Sequence, residues 1–291
     1  MTILEIIREI DKQAVDFFKD DPQTVSVFVV GSMYNLETYT IRRNNDYDIR
    51  LLVNKVTSDV LTKVDMFQKQ MVAKYSNEDI QLGFNNNVGA VNHILSEKKC
   101  NILLHFLIHE VNDLKNFLPL THQVQYGKHH RTLYGEDFLL DLCNEFEPSY
   151  LISCHEGIDY CIDMLRRDVY KYLIWIENES GSIEFKYCEK PTPTDMIAES
   201  VFYSLKNVLN NMYESCVLMK LIQGISANEY FRSLCKNKKR FEKLLTSVET
   251  RDEELLYSFG DKKVIFNETI AFLEVLKDEI RYKEGAMNET L

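Results

Sequence analysis

The chain has 291 residues, with 45 Asp and Glu against 34 Lys and Arg, a formal net charge of −11. Hydrophobic residues at 45%, with 10 Gly and 5 Pro, describe a folded, soluble protein of one large or two ordinary domains, neither fibrous nor disordered. The acidic balance argues against wholesale wrapping of nucleic acid, leaves room only for a local basic patch, and favours cationic small molecules.

The opening Met1-Thr2-Ile3-Leu4-Glu5 carries an acid where a secretory signal carries basic residues, so no signal peptide is expected. No run of 18 apolar residues occurs, so no membrane span and no membrane partner are expected. The seven cysteines are odd in number, form no CxxC and fall mostly in apolar stretches, which suits reduced thiols in a cytoplasmic protein better than a disulfide scaffold or a cysteine zinc site.

In chain order, Ile3, Ile6, Ile7, Ile10, Ala14, Phe17 and Phe18 recur at helical spacing until Asp20-Asp21-Pro22 stops the pattern. Val25 to Val30 and Tyr47 to Val53 read as neighbouring strands, with a loop from Met33 to Asn45 between them. Ser58 is placed to cap a helix bearing Leu61, Val64, Phe67 and Met71. After Asn85-Asn86-Asn87, the apolar run Ile102 to Ile108 reads as a central strand. From about Pro148 long helical patterns take over, at 149–178, 194–224, 226–247 and 264–283. One loop-rich interruption holds Ser180-Gly181-Ser182, a small hairpin around Ile183 to Cys188, and Pro191-Thr-Pro193. Trp175, Tyr170 and Tyr172 read as bundle core in preference to a base-stacking platform. The expected fold class is α+β: residues 1–145 with a small mixed sheet flanked by helices, then an all-helical bundle at 146–291, the boundary falling near 141–149.

The chemistry-bearing stretch is residues 25–53: a strand ending at Gly31-Ser32, a loop, then Asn45-Asp46-Tyr47-Asp48-Ile49 on the next strand, with 13 residues between Ser32 and Asp46. Side chains alternate along a strand, so Asp46 and Asp48 share one face while Tyr47 and Ile49 take the other. Two carboxylates in one small volume repel each other without a cation, whereas Mg²⁺ is held by one or two carboxylates and completes its shell with substrate phosphates and water. Gly31 lets backbone approach a phosphate, and Ser32 can donate a hydrogen bond to it. A plain Gly-Ser turn beside a solvated strand edge is the bland alternative.

Gly31-Ser32 after a strand and Asp-x-Asp on the next resembles the signature of the nucleotidyltransferase superfamily that includes the β-type DNA polymerases. Within it, Asp46-Tyr47-Asp48-Ile49 and the later Leu133-Tyr134-Gly135-Glu136-Asp137 are similar to segments of antibiotic nucleotidyltransferases acting on aminoglycosides or lincosamides. The resemblance implies transfer of a nucleoside monophosphate, with ATP the expected donor, from a nucleoside triphosphate to a hydroxyl of a small acceptor. Asp46 and Asp48 would hold Mg²⁺ or Mn²⁺ and Gly31 and Ser32 would cradle the triphosphate; Arg42 and Arg43 either reach phosphate as well or are solvated surface charges. It also implies a third carboxylate from a later central strand, where this chain has His105. Imidazole suits Mn²⁺ or Zn²⁺ better than Mg²⁺ and can serve as a general base, so altered metal use, a histidine base, lost catalysis and a plain core hydrogen bond all stay open. Glu110 substitutes only in a shifted register, and His109 lies on the face of His105.

Lys128-His129-His130-Arg131 and Lys236 to Arg240 are short basic clusters that either contact triphosphate or RNA or are solvated surface. Glu156, Asp159 and Asp163 would share a helix face, as a site for a polycationic acceptor or as a solvated stripe, and Glu156 or Glu199 is a candidate for the base that activates the acceptor. Three functions follow: a metal-dependent nucleotidyltransferase for a small hydroxylated, aminoglycoside-like acceptor; a toxin-like transferase modifying RNA or protein; and a silent nucleotide- or partner-binding module.

Overall fold

Thr2 and Glu5 open the first helix with reciprocal bonds: Thr2 Oγ1 accepts from the Glu5 N–H at 3.2 Å, and the Glu5 carboxylate accepts from the Thr2 N–H at 2.7 Å. The computed structural model describes residues 1–41, 45–86, 88–89, 100–114, 126–140, 149–235 and 238–288. Helix α1 (Ile3–Phe18) is followed by strand β1 (Thr24–Val30), a 3-10 turn at Gly31–Met33, and β2 (Asn45–Val53). Helix α2 (Ser58–Tyr75) starts one residue later than its cap: Thr57, not Ser58, accepts from the Val60 N–H. Then come β3 (Leu82–Asn85), β4 (Val88–Gly89), β5 (Ile102–Glu110) and β6 (His130–Gly135).

All of these strands except β4 form a five-stranded sheet in the order β3-β5-β2-β1-β6. β5 runs parallel to both β2 and β3, while β1 is antiparallel to β2 and β6, so the sheet is mixed and the fold class is α+β. The run at 102–108 is an interior strand, as its continuous apolar sequence requires, with β2 at the centre. Tyr47, Ile49, Leu51 and Val53 of β2 pack with Val27, Val29, Leu104, Phe106 and Ile108 against Ile6, Ile7, Ile10 and Phe18 of α1 and Val60, Val64, Phe67 and Met71 of α2. The Phe18, Phe67 and Phe106 rings lie 5.4 to 5.8 Å apart in tilted and edge-on contacts. At the edge of this core Asp11, Tyr47 and Arg131 bond to one another, which ties α1 to β2 and β6.

The described residues fall into two compact units, one within Met1–Pro119, Tyr126–Asn144 and Tyr172–Cys188, the other within Glu145–Lys171 and Glu189–Leu291. The helical pattern expected over 149–178 stops early: α3 spans Ser149–Arg167, Asp168 adopts φ +55°, and Val169–Glu177 is strand β7. It pairs with β8 (Ile183–Pro191) and β4 in a three-stranded sheet of order β4-β7-β8. β-branched and aromatic residues crowd Val169 to Glu177, and they pack on a pleated surface better than on a helix. Trp175 is therefore not bundle core; it stacks on Phe185, ring centroids 3.5 Å apart, and packs against the core of the first unit. Tyr170 and Tyr172, also read as bundle core, are buried side chains of β7.

The second unit holds α3 with α4 (Ile197–Leu218), α5 (Ala227–Leu234), α6 (Lys239–Thr250), α7 (Glu253–Tyr257) and α8 (Lys262–Asn288). They share an apolar core that includes Ile158, Leu165, Val201, Leu205, Phe241 and Phe272. The single helix expected over 226–247 is two, α5 ending at Leu234 and α6 beginning at Lys239. Among the described residues, no helix is long and apolar enough to cross a membrane.

Candidate metal centre

β1 ends at Gly31 because the chain there turns into φ +76°, a region that costs any residue with a Cβ about 1–2 kcal/mol. Space is the second reason: a Cβ on Gly31 would lie 2.4 Å from Oδ2 of Asp48. The group that approaches this glycine is thus the Asp48 carboxylate, where sequence reasoning expects a phosphate. Ser32 is exposed in the 3-10 turn that follows. Arg42 and Arg43 lie outside the described residues.

The register decides what surrounds the two carboxylates. In the parallel ladder Asp46 is level with Leu103 and Asp48 is level with His105, all four on the sheet face opposite the α1 and α2 core. His105 Nδ1 lies 2.7 Å from Asp48 Oδ1, so the ring nitrogen donates and the carboxylate accepts. One atom each of Asp46, Asp48 and His105 falls within 4.8 Å of the others, close enough that a small adjustment of side chains would let the three hold one metal ion. His105 is only 3% exposed. The row continues sideways at the same level: Val30 of β1 is opposite Asp48, His130 of β6 is opposite Val30, and Asn85 of β3 is level with His105.

No family model and no curated protein matches this chain. The site therefore stands on its own chemistry. Two half-buried carboxylates and a buried imidazole converging on one point fit a divalent cation, which would offset the repulsion of the like charges.

Sequence reasoning misses the next layer. Arg50, two residues beyond Asp48 on the same face, is 3% exposed. Its guanidinium bonds to His109 Nε2, donates to the Tyr126 hydroxyl at 2.8 Å, and lies 4.3 Å from the centre of the Tyr126 ring. Burial, then the charge of Arg50 and the nearby His105, holds the His109 pKa well below the ordinary histidine range, so His109 is the neutral acceptor of an Arg50 N–H. Burial also pushes the Tyr126 hydroxyl up, against the pull of Arg50 and with a push from Asp48 and Asp46. The alternation that put Asp46 and Asp48 on one face already placed Arg50 there; Tyr126 is 76 residues from Arg50, and no local signal connects them.

The remaining candidates separate into structural and surface roles. Glu110 Oε1 accepts from the Val56 N–H at 2.8 Å, on the opposite face from His105, and is no third ligand. In the basic cluster, His130 bonds through Nδ1 to the Tyr126 carbonyl at 2.7 Å and through Nε2 to Asp137 at 2.9 Å. Arg131 pairs with Asp11 at 2.8 Å and donates to the Tyr34 carbonyl at 3.0 Å, and His129 lies 3.3 Å from the Tyr34 hydroxyl. In the second unit Asp159 pairs with Lys277, and Asp163 pairs with Lys171 and Arg167, so those two acids of the row are neutralised. Glu156 is exposed and Glu199 half-buried. Lys238 and Arg240 lie over the Phe241 ring, and Arg240 also reaches Glu268 at 3.3 Å.

Proposed function

We propose that this protein is a metal-dependent nucleotidyltransferase that moves a nucleoside monophosphate, AMP in the first instance, from a nucleoside triphosphate to a hydroxyl of a small acceptor. One observation carries the reading: a strand-turn Gly31-Ser32 abuts Asp48, and Asp46, Asp48 and His105 converge on one point of a mixed sheet. The similarity of this strand-loop-strand pattern to the nucleotidyltransferase superfamily supplies the reaction type. A bound divalent ion would neutralise triphosphate oxygens and lower the cost of deprotonating the acceptor hydroxyl.

The chain's own residues then have definite work. Asp46 and Asp48 hold their carboxylates on adjacent same-face positions of the central strand, where packing on the other face prevents either from turning away. The Gly31-Ser32 turn lies at the end of β1 beside Asp48, with the exposed Ser32 hydroxyl able to donate to a triphosphate oxygen. In the transfer, the acceptor oxygen bonds to the α-phosphorus as the bond to the pyrophosphate oxygen breaks, and the acceptor proton passes to a base. A small acceptor such as an aminoglycoside is favoured over RNA or protein because His130, Arg131 and Arg240 of the basic clusters are engaged in internal bonds.

The reading is tested by thermal stabilisation with a panel of nucleoside triphosphates, with Mg²⁺ or Mn²⁺, alongside Asp46→Asn and Asp48→Asn. A metal-dependent rise of the melting temperature that vanishes in both variants is expected. Unchanged nucleotide turnover in Asp46→Asn, or no rise with any nucleotide, would overturn it and turn attention to a silent module.

A further inference from the structure

The proposed transferase reading leaves open which ion the site is built for, and the third donor decides it. His105 sits on an interior strand with β2 and β3 on its two sides, is almost wholly buried, and has its ring nitrogen against Asp48. Such a ring has no route out of the cluster. At the level of Asp46 the neighbouring strand offers Leu103, and at the level of Asp48 β1 offers Val30, so neither adjacent backbone position brings a further carboxylate. Among the described residues, the acidic and imidazole groups that gather here are these three.

The formal charge of the site reinforces the point. Two carboxylates bring −2, and the buried guanidinium of Arg50, two residues along the same face, brings +1. An ion held by charge alone gains less here than in a three-carboxylate cage. Mg²⁺ demands oxygen ligands in near-ideal octahedral geometry and dehydrates reluctantly. Mn²⁺, Co²⁺ and Zn²⁺ accept imidazole nitrogen, with affinities that rise along the divalent series.

We infer that Asp46, Asp48 and His105 form a mixed oxygen and nitrogen site for a divalent transition ion, with His105 a direct ligand once the ion displaces the proton it shares with Asp48, in which Mn²⁺ outcompetes Mg²⁺. The inference rests on reading this cluster as a metal centre, and its consequence is a transferase activated by Mn²⁺ at concentrations where Mg²⁺ leaves it metal-free.

The experiment uses the full chain stripped of metal, with Mn²⁺, Co²⁺ and Mg²⁺ alone as probes. Isothermal titration is expected to give one site that binds Mn²⁺ about tenfold or more tightly than Mg²⁺, and Co²⁺ more tightly still. Pulsed electron paramagnetic resonance of the Mn²⁺-loaded protein is expected to show coupling to an imidazole ¹⁴N. In His105→Asp that coupling disappears and the gap between Mn²⁺ and Mg²⁺ narrows. If His105→Asp does not fold, the nitrogen coupling and the affinity order in the parent chain still decide the matter. Equal binding of Mg²⁺ and Mn²⁺, absence of nitrogen coupling, or no binding of any ion overturns the inference. Nucleotide stabilisation measured in parallel separates the two claims. Mg²⁺-dependent stabilisation without nitrogen coupling removes the ion assignment alone, whereas nitrogen-coupled Mn²⁺ without response to any triphosphate supports the ion assignment and removes the transferase reading.

Discussion

The nine residues of the central strand β2 present two faces, and these do opposite things. Tyr47, Ile49, Leu51 and Val53 enter a core closed by α1 and α2, while Asp46, Asp48 and Arg50 face the other way with His105 and His109 of the next strand. The apolar face holds β2 rigidly enough that charged groups on the polar face keep one arrangement, even though burying them is unfavourable on its own. A site of this kind uses the stability of one side to keep charged groups together on the other.

The largest expected effect breaks the apolar side. Phe106 is fully buried among Phe18 and Phe67, so Phe106→Ala should cost about 3–5 kcal/mol in urea or thermal unfolding and take the metal site with it. A smaller and opposite signature marks the polar side. Asp46→Asn should leave the metal-free melting temperature unchanged or slightly higher, because it removes a like charge. Titration should nonetheless show divalent-ion affinity lowered beyond the roughly 10–100-fold that losing an outer-shell partner costs. A stability loss comparable to that of Phe106→Ala would refute the division of labour.

Gly31→Ala joins the two sides. The left-handed conformation and the contact with Asp48 should together cost about 1–3 kcal/mol, with loss of metal binding as Asp48 is displaced, read by calorimetry and titration on the same sample.

The finest test compares two carboxylates whose pKa values move in opposite directions. Asp11, at the edge of the apolar core, is pushed up by burial against the pull of Arg131 and Tyr47. Its contribution to stability is full below the unfolded value of about 3.9 and is lost as pH rises through the higher folded value. Burial also pushes Asp137 up, but bonds from His130, Thr132 and the Leu139 N–H outweigh it and hold the carboxyl below the ordinary range. That contribution is present above about pH 3.9 and is lost as pH falls through the folded value. Between pH 6 and 3, Asp137→Asn should therefore lose less stability than the parent chain and Asp11→Asn more, each by under about 1 kcal/mol in melts across that range.

Much of this was legible from residue spacing. Alternation in Asn45 to Val53 assigned Asp46 and Asp48 to one face, and the apolar run from Ile102 placed His105 on a neighbouring strand. The stretch after Arg167 misled because its aromatic and β-branched residues fit a helical period as well as an alternating one. Its strand state comes from pairing with β4 and β8, which no local pattern encodes. The Arg50, His109 and Tyr126 cluster escaped for a related reason: Tyr126 reaches Arg50 across 76 residues of sequence.

What the sequence by itself determined is periodicity: which residues of β2 share a face, where glycine frees the backbone at residue 31, and that helices dominate after residue 149. What only the tertiary structure decided is register. Because side chains alternate with a period of two, a slip of one residue between β2 and β5 would send His105 to the helix-packed face and bring a hydrophobic neighbour to Asp48. The long-range packing of the opposite face fixes that register, and with it the one point where two carboxylates and an imidazole meet.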